Sequence, residues 1–149
     1  MSYEIKHQDK LRFVEEGQGE PLVLLHGLFG ALSNFKDLIE YFRQYNKVVV
    51  PVLPLFELDI LHTTVGGLAK FVHKFLEARD YKNVHLLGNS LGGHVAILHV
   101  LKHSERIKSL ILTGSSGLFE SGMGDSYPKR GDYDYIKRKT ELTFYDPKI

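Results

Sequence analysis

The chain has 149 residues, enough for one domain with a sizeable hydrophobic core. Its 43% hydrophobic and 25% charged residues are typical of a soluble globular protein. The net charge of +1 gives no electrostatic basis for binding nucleic acid or an anionic membrane, and the absence of cysteine excludes disulfides and thiolate metal sites. The first residues do not resemble a signal peptide and no apolar run has the length of a membrane span, so we expect a cytoplasmic protein.

The first predicted elements are strands. Tyr3 to Gln8 and Lys10 to Glu15 surround Asp9 and predict a hairpin at a sheet edge. After a glycine-rich turn, Leu22 to Leu25 is entirely apolar, which is typical of a strand covered on both faces. That strand ends in the sequence HGLFG, which begins at His26.

An amphipathic helix is predicted after this turn. Its apolar positions share one side of the helix: Leu32, Phe35, Leu38, Ile39 and Phe42. Ser33 or Asn34 is expected to cap its N-terminus. The segment Lys47 to Val52 then predicts a strand, from which the chain departs near Pro51.

A second amphipathic helix is expected to begin at Thr63 or Thr64. Its inward positions are Val65, Leu68, Val72, Phe75 and Leu76. Its outward positions are Lys70, His73, Lys74 and Glu77. The pattern therefore predicts that His73 lies on the outward side of the helix.

The next stretch carries the main motif. Val84 to Leu87 predicts a buried strand and Leu91 to His103 a helix, and the sequence GNSLG, a G-x-S-x-G, connects them. In this context the motif predicts a nucleophile elbow, a sharp turn that projects Ser90 clear of the sheet at the cost of backbone strain. The turn is expected to require glycine at positions 88 and 92, Gly88 and Gly92, because a Cβ atom at either position would collide with the turn.

Ile107 to Thr113 predicts one more buried strand, followed by the turn GSSG. The element order indicates an α/β fold with a doubly wound, mostly parallel sheet and an N-terminal antiparallel hairpin. Ligands bind beyond the carboxyl ends of the strands in such sheets. The His26-Gly27 pair, Ser90 and Ser115 all follow such ends, so we expect them to lie close together.

The segments LLHGLFG, LLGNSLGG and LILTGSSG, in that order, resemble the α/β-hydrolase family over nearly the whole chain. The resemblance implies an oxyanion hole formed by the N–H groups of Leu28 and Leu91. It also implies attack of Ser90 on an ester or related carbonyl of a small-molecule substrate, an acyl-enzyme intermediate and no cofactor. Phe29, Asn34 and Ser115 are expected to line the substrate pocket.

GNSLGG and the Ser-Asn-Phe after the His-Gly turn resemble carbon–carbon bond hydrolases as well as carboxylesterases. On this resemblance residues 1–117 are the N-terminal part of the hydrolase core, and residues 118–149 begin a lid. Within that lid, the charge run from Lys137 to Lys139 is expected to be a solvated helix face.

The triad of the family is incomplete in this sequence. The resemblance requires a base histidine after the eighth strand, but all eight histidines lie at or before position 103. None of the aspartates beyond the sixth strand follows a strand end as the triad acid would: Asp125, Asp132, Asp134 and Asp146. We therefore expect the N-terminal portion of a longer hydrolase, or a chain completed by a second polypeptide that covers the edge of the last strand.

The remaining histidines suggest structural roles. His26 is expected to hold its loop by hydrogen bonding, and His94 to pack beside the elbow. His99 and His103 lie four residues apart, a spacing that suits zinc, but no third ligand is evident and no metal site is predicted.

Two other classes of function remain for comparison. One is a binding module that keeps the fold and pocket without the chemistry. The other is a nucleotide-binding domain, which is not favoured because neither G-x-G-x-x-G nor G-x-x-x-x-G-K-[ST] follows a strand.

Overall fold

A computed structural model describes residues 3–28, 32–55 and 64–118, together with Tyr133, Asp134 and Lys137. The chain divides into two compact units, Met1–Leu118 and Phe119–Ile149. The three described residues of the second unit are helical and exposed, and the rest of the predicted lid lies outside the described residues. The predicted boundary at residue 117 stays a prediction. No helix among the described residues is both long and apolar enough to cross a membrane.

The first unit contains one six-stranded sheet. Its strands are β1 (Lys6–Gln8), β2 (Leu11–Glu16), β3 (Pro21–Leu25), β4 (Lys47–Pro51), β5 (Val84–Asn89) and β6 (Ile107–Thr113). Their spatial order is β1-β2-β4-β3-β5-β6. The first two strands are antiparallel to their neighbours, and the other four are parallel to one another. The predicted parallel sheet with an N-terminal hairpin is confirmed.

Three helices cover this sheet: α1 (Lys36–Phe42), α2 (Val65–Ala78) and α3 (Leu91–Lys102). Thr64 caps α2, since its Oγ1 accepts a hydrogen bond of 3.0 Å from the N–H of Gly67. The expected cap of α1 by Ser33 or Asn34 is wrong. Leu32–Phe35 forms a 3-10 turn instead, so Phe35 becomes the capping position and offers no side-chain hydrogen bond.

The core has two layers, one on each face of the sheet. Helices α2 and α3 pack on one face, where Phe75 and Val95 are fully buried. Helix α1 packs on the other, where Ile39 lies against Leu24 and Val48. The predicted placement of helices on both faces is confirmed.

Strand β6 departs from the prediction of a buried strand. None of its residues is fully buried, and Ile111 is 40% exposed. Among the described residues β6 pairs only with β5, so its outer edge has no neighbour. A groove of about 200 Å³ lies beside it on the α1 face, lined by mainly apolar side chains that include Leu22, Leu38 and Ile111.

Candidate active site

The chain bends sharply where β5 passes into α3. Ser90 stands between them as the capping residue of α3, with φ 53° and ψ −119°. A non-glycine residue with positive φ carries conformational strain that the surrounding structure must support. Ser90 is exposed, and its side chain makes no capping hydrogen bond to the helix. The predicted elbow geometry is therefore present.

The glycines around Ser90 are required by close backbone contacts. A Cβ atom at Gly92 would lie 2.1 Å from the carbonyl oxygen of Leu25, and one at Gly88 would lie 2.5 Å from the carbonyl oxygen of Gly92. These distances are far below van der Waals contact, so any side chain would force the first turn of α3 away from the sheet. These distances agree with the prediction that a Cβ atom at either position would collide with the turn.

The strained bend is held by hydrogen bonds to the Ser90 carbonyl. This oxygen accepts from the N–H groups of Gly93 at 3.0 Å, Ser116 at 3.2 Å and His94 at 3.3 Å. A further hydrogen bond joins the bend to β6, because the carbonyl of Thr113 accepts from the N–H of Ser90 at 3.2 Å. The role of Ser116 was not anticipated, since only the folded sheet brings the turn after β6 against the elbow.

The turn after β3 lies directly beside Ser90. Leu25 is paired with Gly88 in the parallel register of β3 and β5, so both strands end at the same edge. A Cβ atom at Gly27 would lie 3.1 Å from the Cβ and 3.4 Å from the Oγ of Ser90. Leu28 follows and is 47% exposed. The two loops therefore lie close together, as predicted. That the backbone N–H groups of Leu28 and Leu91 donate hydrogen bonds to an oxyanion stays a prediction.

His26 holds its loop to the neighbouring chain segment. Its Nε2 accepts a hydrogen bond of 3.1 Å from the backbone N–H of Leu53. The other ring nitrogen therefore carries the hydrogen and donates to the Gly27 carbonyl at 2.9 Å. With both nitrogens engaged and the ring buried, His26 is a structural residue and not a general base, as its sequence context indicated.

The three residues predicted to line the substrate pocket have different outcomes. Phe29 lies outside the described residues. Asn34 is exposed in the 3-10 turn before α1. Ser115 touches the first turn of α3, since a Cβ at Gly93 would lie 2.4 Å from its Oγ, and its hydroxyl donates to the carbonyl of Ser116 at 2.8 Å. Their roles in substrate binding stay predictions.

No side chain among the described residues hydrogen-bonds to the hydroxyl of Ser90. The nearest histidine in sequence, His94, packs instead against the turn after β6, where a Cβ atom at Gly117 would lie 2.5 Å from its ring. Its predicted packing role agrees with this contact. The described part of the chain thus presents an exposed serine hydroxyl to which no described side chain is hydrogen-bonded.

A cluster of histidines lies at the other end of α3. His73, predicted to lie on the outward side of α2, has its ring stacked on that of His103 at 3.8 Å between centroids. The prediction is wrong because α3 packs against this side of α2. His99 lies behind the pair and is only 1% exposed. Its burial, together with the neighbouring His103 and His73, lowers its pKa to about 4, so its ring is neutral at pH 7.

A mostly parallel sheet with helices on both faces and a serine on a strained strand-to-helix bend defines the class of α/β proteins that carry a nucleophile elbow. Residues 20–142 match the model of the alpha/beta hydrolase fold family. The chain belongs to this family.

The known proteins to which the chain is similar include a lipase and a hexadienoic acid hydrolase. Lipase 1 of Psychrobacter immobilis is 29% identical over 79% of this chain. The 2-hydroxy-6-oxo-6-(2'-aminophenyl)hexa-2,4-dienoic acid hydrolase of Metapseudomonas resinovorans is 31% identical over 72% of it. The chain spans 39% of the length of each of these relatives.

Solved structures show the same similarity. An alpha/beta hydrolase enzyme from the metagenome of sediments of the Mar Chica lagoon, Morocco, is 38% identical, with a TM-score of 0.73 over 94% of this chain and 61% of its own. A serine hydrolase involved in carbazole degradation is 26% identical, with a TM-score of 0.70 over 78% of this chain and 50% of its own. Together with the family match, these relatives support a hydrolase.

Proposed function

We propose that this chain carries the nucleophile-bearing part of a serine hydrolase that acts on an ester or related carbonyl compound. The proposal depends on one observation: Ser90 is exposed on a positive-φ bend, with the Gly27 turn packed against its side chain. A strained serine backbone at the carboxyl end of a strand costs stability, and such strain concentrates at functional sites. Membership of the alpha/beta hydrolase fold family supports the same chemistry.

In the proposed reaction the Oγ of Ser90 attacks the carbonyl carbon while a general base accepts its proton. The oxyanion that forms accepts hydrogen bonds from the N–H groups of Leu28 and Leu91. The second of these lies at the N-terminus of α3, where first-turn amides have no acceptor within the helix and the helix dipole favours negative charge. The tetrahedral intermediate then expels the alcohol, which takes the proton from the base, and water hydrolyses the acyl-enzyme.

The base and the triad acid come, in this proposal, from outside the described residues. His26 is already engaged at both nitrogens, and no described side chain bonds to the hydroxyl of Ser90. Further polypeptide, either continuous with this chain or a second polypeptide, would supply these groups. It would also cover the outer edge of β6, which has no partner strand among the residues that the structure describes and is a template for strand pairing.

We propose a small, uncharged or weakly acidic substrate bound beside Phe29, Asn34 and Ser115. An ester is the first candidate. A carbon–carbon bond next to a carbonyl is the second, favoured by the 31% identity to the hexadienoic acid hydrolase. Either substrate presents a carbonyl carbon to Ser90, so the same nucleophile and oxyanion hole serve both.

A fluorophosphonate probe tests the nucleophile directly. We expect slow labelling of the chain at Ser90, complete loss of labelling in Ser90→Ala, and unchanged labelling in Ser104→Ala. Ser104 is a suitable control because it is exposed at the far end of α3. Labelling that persists in Ser90→Ala contradicts the proposal.

The competing function is a non-catalytic module that binds a small molecule at the same edge of the sheet. The specific observation in its favour is the absence, among the described residues, of a base on the hydroxyl of Ser90. A folded chain that binds ester analogues, but whose Ser90 is not modified by the probe at any concentration, favours the binding module.

A further inference from the structure

We propose that His73, His103 and Glu105 bind a divalent cation of the zinc type between α2 and the C-terminal end of α3. One ligand atom from each of these three residues lies within 4.8 Å of the others. The cluster is separated from Ser90 by the length of α3, about 18 Å. Folding therefore brings His73 of α2 and Glu105 of the loop after α3 to His103, whereas His99 lies outside this group of three.

Buried nitrogen atoms without partners distinguish this cluster from ordinary packing. Neither ring nitrogen of His99 has a hydrogen-bond partner of good geometry, although the Ala69 carbonyl lies nearby, and the Nδ1 of His73 is buried and unpartnered as well. Buried polar groups are nearly always satisfied in native proteins, and a bound ion or water is a usual explanation for exceptions. An apolar side chain would fill the site of His99 without this cost.

The chemistry of the donors favours zinc. Two imidazoles and one carboxylate are ligands that zinc accepts, and a three-ligand site leaves its fourth position to water. The C-terminal end of a helix also favours a positive charge, and His103 is the capping residue of α3.

A second carboxylate supports the same assignment from the outer sphere. The Nε2 of His73 lies 3.4 Å from the Oε2 of Glu77, one helical turn further along α2. A ligating histidine usually has its other nitrogen bonded to a carboxylate or carbonyl, which orients the ring. With Nε2 beside Glu77, the buried and unpartnered Nδ1 of His73 is the nitrogen that we assign to the cation.

Binding requires a small rearrangement. The rings of His73 and His103 are nearly parallel, with an angle of 17° between their planes, so their lone pairs do not converge. One ring must turn about its side-chain bonds, and the ligand atoms must approach to about 3.4 Å around a tetrahedral zinc. Glu105 is exposed, so it can move toward the cation without disturbing the core.

The test is calorimetric titration of zinc chloride into the chain after treatment with a chelator and its removal. We expect one zinc ion per chain and a raised melting temperature. His73→Gln, His103→Gln and Glu105→Gln should each weaken binding by at least about tenfold, the loss seen when a supporting group of a metal site is removed. His7→Gln is the matched control, because His7 is exposed on the hairpin.

The Glu105→Gln variant is expected to fold because Glu105 is exposed. It therefore tests the site even if a histidine variant does not fold. Absence of stoichiometric binding overturns the proposal. So does binding that is equally strong in His7→Gln and Glu105→Gln, which would indicate adventitious zinc on surface histidines. The experiment is independent of Ser90, so it succeeds or fails apart from the proposed hydrolase.

Discussion

Substitution of glycine by alanine at two equivalent helix positions should have opposite effects on stability. Gly66 and Gly92 each occupy the second residue of a helix, in α2 and α3. A Cβ atom at Gly66 meets nothing closer than the Oγ1 of Thr64 at 3.8 Å, which is ordinary contact. A Cβ atom at Gly92 would lie 2.1 Å from the carbonyl oxygen of Leu25, and this backbone atom cannot rotate away.

We expect Gly66→Ala to raise the free energy of unfolding by about 0.4–1 kcal/mol, because alanine restricts the unfolded chain and adopts the helical conformation without strain. Gly92→Ala should lower it by about 3 kcal/mol, the upper end of the usual cost of overpacking, because the helix start must move from the sheet. Urea denaturation of both variants measures the difference. Effects of the same sign, or a Gly92→Ala change below about 0.5 kcal/mol, would refute the steric account of the elbow.

Substitutions at three further positions test other parts of the structure. Thr64→Ala should lower the free energy of unfolding by about 1 kcal/mol through loss of the helix cap, while Thr64→Ser should retain most of it in the same urea titration. His26→Phe leaves the buried N–H of Leu53 without its acceptor and should cost about 1–3 kcal/mol, and an unchanged midpoint would contradict the bonding described for His26. His99 has a pKa of about 4 when folded and 6.5 when unfolded, so the unfolded chain binds more protons between these values. The chelator-treated chain should therefore lose about 2–3 kcal/mol of stability as the pH falls from 6.5 to 4, and His99→Leu should flatten this dependence.

The elbow could be predicted from the sequence because its determinants are local. Two glycines at fixed distances from Ser90, an apolar strand before it and a helix after it define the turn without knowledge of distant contacts. The parallel sheet followed from the alternation of strands and helices. The juxtaposition of Gly27 and Ser90 then required only that both strands end at one edge.

Features that depend on packing between elements were not predictable in this way. The amphipathic pattern of α2 separates apolar from polar residues, but it does not reveal that α3 packs beside His73 and brings His103 onto its ring. Similarly, the composition of β6 matches that of a buried strand, while its exposure reflects its place at the end of the sheet that the described residues form. The hydrogen bond from Ser116 to the Ser90 carbonyl likewise exists only after β5 and β6 pair.

Chemical rescue by imidazole tests the role of Ser90 most directly, because free imidazole can serve as the base that the described residues lack. The chain is incubated with an activated acetyl ester with and without imidazole, and the acetylated residue is located by peptide mass spectrometry. The account predicts acetylation of Ser90 that imidazole accelerates, with no acetylation at this position in Ser90→Ala and no acceleration at Ser104. An unmodified Ser90 in a folded chain, or equal acetylation of Ser90 and Ser104, would contradict it.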